Sequence, residues 1–143
     1  MSPVTVVENH LDEIATLISE GVGQIAFKTA EWIGGEAKNS MAEEKTGRSY
    51  KRGDKEHVAS APGEAPAIDM GFLVNSIATE QNEDGTGAVT YTTAEYAVPL
   101  EFGSVKMASR PFFTPAAFKA VTVAFNLTQK FIQDLNARFP RGQ

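Results

Sequence analysis

The chain has no cysteine, which excludes disulfides and thiolate metal sites and fits synthesis in a reducing compartment. Histidine is nearly as scarce. His10 and His57 are the only two, they fall in different predicted elements, and neither has the neighbours of a general base or a metal ligand. No serine has a G-x-S-x-G context, no Walker-type lysine motif occurs, and Gly21-Val22-Gly23 lacks the third glycine and the preceding strand of a dinucleotide fingerprint. Asp54, Glu56 and His57 crowd together, but their spacing matches no cation geometry. The sequence therefore predicts no enzyme and no catalytic, cofactor or metal site. No apolar run approaches the roughly 18 residues of a membrane span. MSPVTVVENHLDE at the start has no basic n-region and no apolar stretch of signal-peptide length, so no secretory signal is expected.

What remains is an ordinary globular composition. The 143 residues are 42% hydrophobic and 22% charged, enough for one core, and 1–143 read as a single domain. The net charge of −5 argues against general nucleic-acid binding. Its distribution is uneven: residues 1–44 carry −6, residues 45–101 carry −4 and residues 102–143 carry +5. Ends of opposite sign can attract within one chain or between copies, or can simply be solvated helix faces.

Val4–Val7 is a β-branched run and predicts a short strand. Asn9 is then the expected N-cap of a long amphipathic helix with Asp12 at N3. Apolar residues recur mostly every three or four positions from Val7 to Met41, and a helix from Asn9 to about Glu44 would span roughly 50 Å. Gly34-Gly35 is the expected kink or break. A helix this long exceeds the usual need of such a domain, so its far end is expected against a neighbouring copy.

Residues 45–71 are rich in glycine and proline without apolar period, and predict a long extended loop with a loose hairpin at Gly53-Asp54. Within it, residues 45–55 hold five cations against Asp54, with Tyr50 interleaved. That patch could be a solvated loop, a subunit contact or a phosphate contact. Phe72–Ile77 predicts one helical turn capped by Asp69. Ala78–Gln81 and Ala88–Thr93, joined through Asp84-Gly85, predict a hairpin with Val89, Tyr91 and Thr93 on one face. Ala94–Phe102 predicts a short helix or turn ending at Gly103. Thr114 as N-cap and Pro115 at N1 open a final helix of about 24 residues. Its seam of Phe118, Val121, Phe125, Thr128, Ile132, Leu135 and Phe139 is expected to face the core, and it ends before Pro140.

Two strings stand out. One runs Lys45-Thr46-Gly47-Arg48-Ser49-Tyr50, then His57-Val58-Ala59-Ser60-Ala61-Pro62-Gly63-Glu64-Ala65-Pro66-Ala67-Ile68-Asp69, then Gly71-Phe72-Leu73-Val74-Asn75-Ser76-Ile77. The other runs Tyr96-Ala97-Val98-Pro99-Leu100-Glu101-Phe102-Gly103, then Lys106-Met107-Ala108-Ser109-Arg110-Pro111-Phe112-Phe113-Thr114-Pro115-Ala116. In this order they resemble the tail-completion (head–tail joining) proteins of long-tailed double-stranded DNA phages. The chain departs from that pattern at Met70 and Phe72, where threonine and arginine are common.

The resemblance implies an α+β fold, with a small antiparallel sheet flanked by a long N-terminal and a C-terminal helix. It implies a structural virion protein of the neck, assembled in the host cytoplasm. Its copies would form a ring, by expectation a hexamer, between the head connector, adaptor or stopper and the tail terminator or tail tube. Double-stranded DNA would pass through the lumen without sequence-specific binding. A tail terminator or another connector ring is the alternative role. By the same resemblance Arg48, Tyr50, Lys51, Arg52, Pro62, Gly63 and Pro66 would form a docking loop. Gly71, Glu101, Gly103, Arg110 and Pro111 would form a sheet–helix joint, with an Arg110–Glu101 ion pair fixing it.

Overall fold

A computed structural model describes residues 10–140; the strand expected at Val4–Val7, the cap expected at Asn9, and Arg141 lie outside them. The fold is α+β. In chain order it comprises α1 (Leu11–Ala42), β1 (Ser49–Arg52), β2 (Lys55–Val58), α2 (Phe72–Ser76), β3 (Ile77–Gln81), β4 (Ala88–Thr92), α3 (Ala97–Phe102) and α4 (Phe113–Arg138). The strands form two separate antiparallel hairpins, β1–β2 and β3–β4, not one sheet.

The 32 residues of α1 run through Gly34-Gly35 without interruption, so the expected break does not occur. Intrinsic propensity charges each glycine about 1 kcal/mol, but here the missing side chain makes room. A Cβ at Gly23 would stand 1.9 Å from the Gly85 carbonyl oxygen, and one at Gly34 would stand 3.2 Å from the Thr90 methyl. With Ala30 and Ala37, these residues form a strip of small side chains on which the β3–β4 hairpin lies flat. Thr90 Oγ1 donates to the Ala30 carbonyl at 2.5 Å and stands 2.9 Å from Thr79 Oγ1, its cross-strand partner. The helix stays continuous because the hairpin rests directly on its backbone.

α4 lies along α1 antiparallel to it. Lys119 Nζ reaches Glu36 Oε1 at 2.5 Å near one end of the pair, and Arg138 Nη2 reaches Glu13 Oε1 at 2.7 Å near the other. The acidic first helix and the basic last one therefore meet within one chain. The Glu36 carboxylate raises the Lys119 amine above its ordinary value. All four side chains are partly or largely solvated, so each pair contributes little on its own.

The core gathers at the C-terminal end of α1. Ala37 and Met41 pack with Leu73, Ile77, Ala97, Phe112 and Ala116 there, and Phe112, the largest of them, is almost wholly enclosed. The fully buried residues of α4 are small, Ala116 and Ala120, and farther along the helix the Phe131 ring lies against Gly21 of α1. Of the seven seam residues expected in the core, four point away from it, while Thr128, Leu135 and Phe139 are half-buried. Phe118 is 75% exposed, Val121 67%, Phe125 61% and Ile132 44%. Close approach of α1 and α4 selects alanine at the contact and turns the bulky stripe outward.

Candidate functional site: the stapled loop and its hairpin

The 45–71 segment divides into an anchored base and a projecting hairpin. In the base, the Glu64 carboxylate ties three groups together. Its Oε2 accepts the Thr46 N–H at 3.1 Å and the Ala61 N–H at 2.8 Å, and its Oε1 accepts the Thr46 hydroxyl at 2.5 Å. The Thr46 hydroxyl, then the Ala61 and Thr46 N–H groups, hold the Glu64 carboxyl below its ordinary value. The Gly47 N–H donates to the Ala59 carbonyl and the Ala59 N–H to the Arg48 carbonyl, both at 3.0 Å, which closes the base of the hairpin. Ser60 and Pro66 are buried beneath. Lys45 leaves the cationic patch altogether: its Nζ donates to the Ser40 carbonyl at 2.6 Å, at the negative end of α1.

Above this base β1 and β2 pair Ser49 with Val58, Tyr50 with His57, Lys51 with Glu56 and Arg52 with Lys55 across the Gly53-Asp54 turn. Gly53 takes a φ of 62°, as the turn requires. Nearly every residue of both strands is exposed. The Tyr50 and His57 rings meet edge-on at 5.1 Å, and the Ser49 hydroxyl donates to Glu56. Arg52 forms an ion pair with Asp69, and its other terminal nitrogen lies 3.3 Å from the Met70 sulfur. Asp69 thus braces the hairpin and does not cap α2. Gly71, at φ 81°, precedes that helix without any side-chain cap. With Arg52 neutralised and Lys45 on α1, the exposed cations of 45–55 reduce to Arg48, Lys51 and Lys55, facing Asp54 and Glu56. That is a poor footprint for a phosphate backbone.

The joint before α4 departs from the expected ion pair. Both Glu101 oxygens are spent on the start of α4. Oε2 accepts the Phe112 and Phe113 N–H groups at 2.8 and 3.0 Å, and Oε1 accepts the Thr114 N–H at 2.7 Å. A remote carboxylate thereby caps the helix; the Thr114 side chain does not. Burial pushes the Glu101 carboxyl up, but hydrogen bonds from the Phe112 N–H, the Thr114 hydroxyl and the Phe113 and Thr114 N–H groups outweigh it, so the group lies below its ordinary value. Arg110 turns elsewhere, donating through Nε to the Ser60 carbonyl at 3.3 Å and through Nη1 to the Ala108 carbonyl at 3.1 Å. Gly103 ends α3 at φ 80°, and a Cβ there would stand 3.0 Å from the Ser109 nitrogen. Pro111 follows Arg110 at the entry to α4 and is half-buried.

The two halves of the site touch. The Gly63 N–H, at φ 85°, donates to the Ser109 carbonyl at 2.9 Å, and Arg110 reaches Ser60 as above. Tyr50, Pro66, Gly71 and Arg110 converge on one cleft of about 430 Å³ between the hairpin, α2 and α3. Arg48, Lys51, Pro62 and Gly103 lie outside it. Glu64 and Ser60 are residues holding the base that periodicity and charge counting pass over; their only signal is their place inside the Ser60–Pro66 string. Among the described residues no cluster of three or more metal-ligating side chains occurs, and no helix is long and apolar enough to cross a membrane. No protein-family model, curated protein or solved structure matches the chain.

Proposed function

We propose that this chain is a structural protein of a phage neck, forming a ring that joins the DNA-filled head to the tail and lets the DNA pass. The supporting observation is that the two strings behind the resemblance, far apart in sequence, are bonded to each other through Gly63–Ser109 and Ser60–Arg110. Together they form one hydrogen-bonded mount from which an exposed hairpin projects. A joining protein needs such a mount: the hairpin reaches a head connector, adaptor or stopper on one side or a tail terminator or tube on the other, while the mount keeps it aimed. Both hairpin strands present unpaired edges, so a partner can add a strand by main-chain hydrogen bonds. An acidic chain also suits a lumen through which DNA slides, since like charge repels phosphate. Labelling tests the reading. A tag on this chain, in virions of the phage that encodes it, should mark the head–tail junction by electron microscopy. Label on the capsid wall or tail tip, or none on the particle, would refute it.

A further inference from the structure

Between α1, α4 and β4 lies a trough of about 860 Å³. Its floor is a stripe of α1, Val22, Ile25, Thr29 and Ile33, and its walls include Phe131 of α4 and Val89 of β4. No charged side chain lines it. The α4 wall continues without a break into the seam, because Val121, Phe125 and Ile132 lie three or four residues from wall positions Ala117, Ala124 and Thr128. The outer face of α4 is uncharged as well: Phe118, Val121, Thr122, Phe125, Asn126, Gln129, Ile132 and Gln133 follow one another along it. In a chain that is 22% charged, such a surface has the composition of an interface core, rich in aromatics and depleted in charge. Phe118 and Phe125, at 75% and 61% exposure, alone leave roughly 200–340 Å² uncovered. Monomers rarely leave extended patches of this kind open.

We propose that the α4 seam of one copy lies in the α1–α4–β4 trough of a second copy. Neutrality on both sides excludes an anionic or cationic partner at the centre and matches the two surfaces to each other. Their lengths match too. The seam from Phe118 to Ile132 extends about 21 Å at 1.5 Å per residue. The floor, continued to the exposed Ile18, extends about 22 Å to Ile33. The seam offers anchors at i, i+3, i+7 and i+14, the pattern by which a helix lies in an apolar groove. A contact between two different surfaces of one chain is heterologous, the kind of contact that builds a ring when its rotation closes. The inference thus deepens the neck reading by naming the surfaces the ring would use.

The test uses the purified full chain in sedimentation velocity. Phe125→Glu disables the seam and Val22→Glu disables the trough; both residues are solvent-exposed, and circular dichroism verifies that each variant is folded. The wild type should associate, with an affinity that salt leaves unchanged or strengthens. Each variant alone should lose about 30-fold or more in association, as for an interface anchor. An equimolar mixture should restore a one-to-one complex, because the seam variant keeps an intact trough and the trough variant an intact seam. Monomeric wild type, association by either variant alone as tight as the wild type's, or a mixture no tighter than either variant alone each overturns the proposal. Failure here is separable from failure of the neck reading: virion label at the junction with no effect of these variants refutes only the interface.

Discussion

Glu101 offers the sharpest test of how this fold is held. The residue is 7% exposed, and its carboxylate closes three backbone donors at the start of α4. Glu101→Ala strands those donors beside Phe112, in the main core cluster. An ordinary N-cap is worth about 1 kcal/mol, and a buried donor left without its acceptor costs about 1–3 kcal/mol. The alanine variant belongs at the upper figure, a large share of a domain stability of about 5–15 kcal/mol. Glu101→Gln keeps the shape and one acceptor but aims an NH₂ at the remaining donors and removes the charge that favours a helix N-terminus. Its cost should be about 1.5–3 kcal/mol, the range for a hydrogen bond to a charged group.

Urea unfolding followed by far-ultraviolet circular dichroism and by the single tryptophan, Trp32, measures both variants. The glutamine variant adds a pH test. The folded carboxyl lies below its ordinary value of 4.5, so its contribution is complete above that value and is lost as pH falls through the folded pKa. The gap in stability between wild type and Glu101→Gln should be full at neutral pH and shrink steadily as acidity increases below about pH 4.5. A glutamine variant within about 0.5 kcal/mol of wild type, or a gap that does not change with acidity, would show that the carboxylate does not hold the start of α4.

Three further outcomes follow from the packing. Gly23→Ala should destabilise by roughly 2–3 kcal/mol because its Cβ meets the Gly85 carbonyl, whereas Gly35→Ala, with open space around it, should gain about 0.5–1 kcal/mol in the same denaturation assay. Phe125→Ala should change unfolding stability by less than about 1 kcal/mol, while Phe112→Ala, at a site 1% exposed, should cost about 3–5 kcal/mol; the reverse order would return the seam to the core. Limited trypsin treatment should cut first between Arg48 and Lys55, and replacing Ser49–Val58 by a short Gly-Ser turn should leave the melting temperature nearly unchanged while abolishing head–tail joining; an unfolded replacement, or normal virion yield, would deny the hairpin its docking role.

The long helices and both hairpins were legible from period and turn chemistry, while the α+β class came from the resemblance of the two strings. The errors share a cause. α4 carries two stripes, one of Ala116 and Ala120, the other of Phe118, Val121, Phe125 and Ile132. Hydrophobicity weights the second, yet helix pairs that approach closely bury the small one. The glycines of α1 read as breakers by propensity because their benefit, room for the β3–β4 hairpin, is tertiary. In the candidate site the hairpin tip and Glu101 were visible, but not their bonds. Thr114 looked like a cap because nothing local announced that a carboxylate thirteen residues earlier would take the position. Glu64, likewise, binds Thr46 across eighteen residues, a link no periodicity encodes.

The opposite charges of the chain ends invite an electrostatic contact between copies, yet α1 and α4 spend part of that attraction inside the chain, at Glu36–Lys119 and Glu13–Arg138. What the folded domain leaves exposed is of two kinds. The hairpin is polar, with open strand edges and mixed charge, the surface of a contact made and tested against a second protein. The trough and seam are neutral and apolar, the surface of a contact meant to persist, since permanent interfaces are the more hydrophobic ones. On the proposed neck reading the protein uses both, and in that order. The ring must exist before it can present one hairpin per copy, and many hairpins held in one ring bind far more tightly than each alone through effective concentration. On this reading weak single hairpins are an advantage: an unassembled copy engages head or tail only fleetingly, and joining waits for the ring.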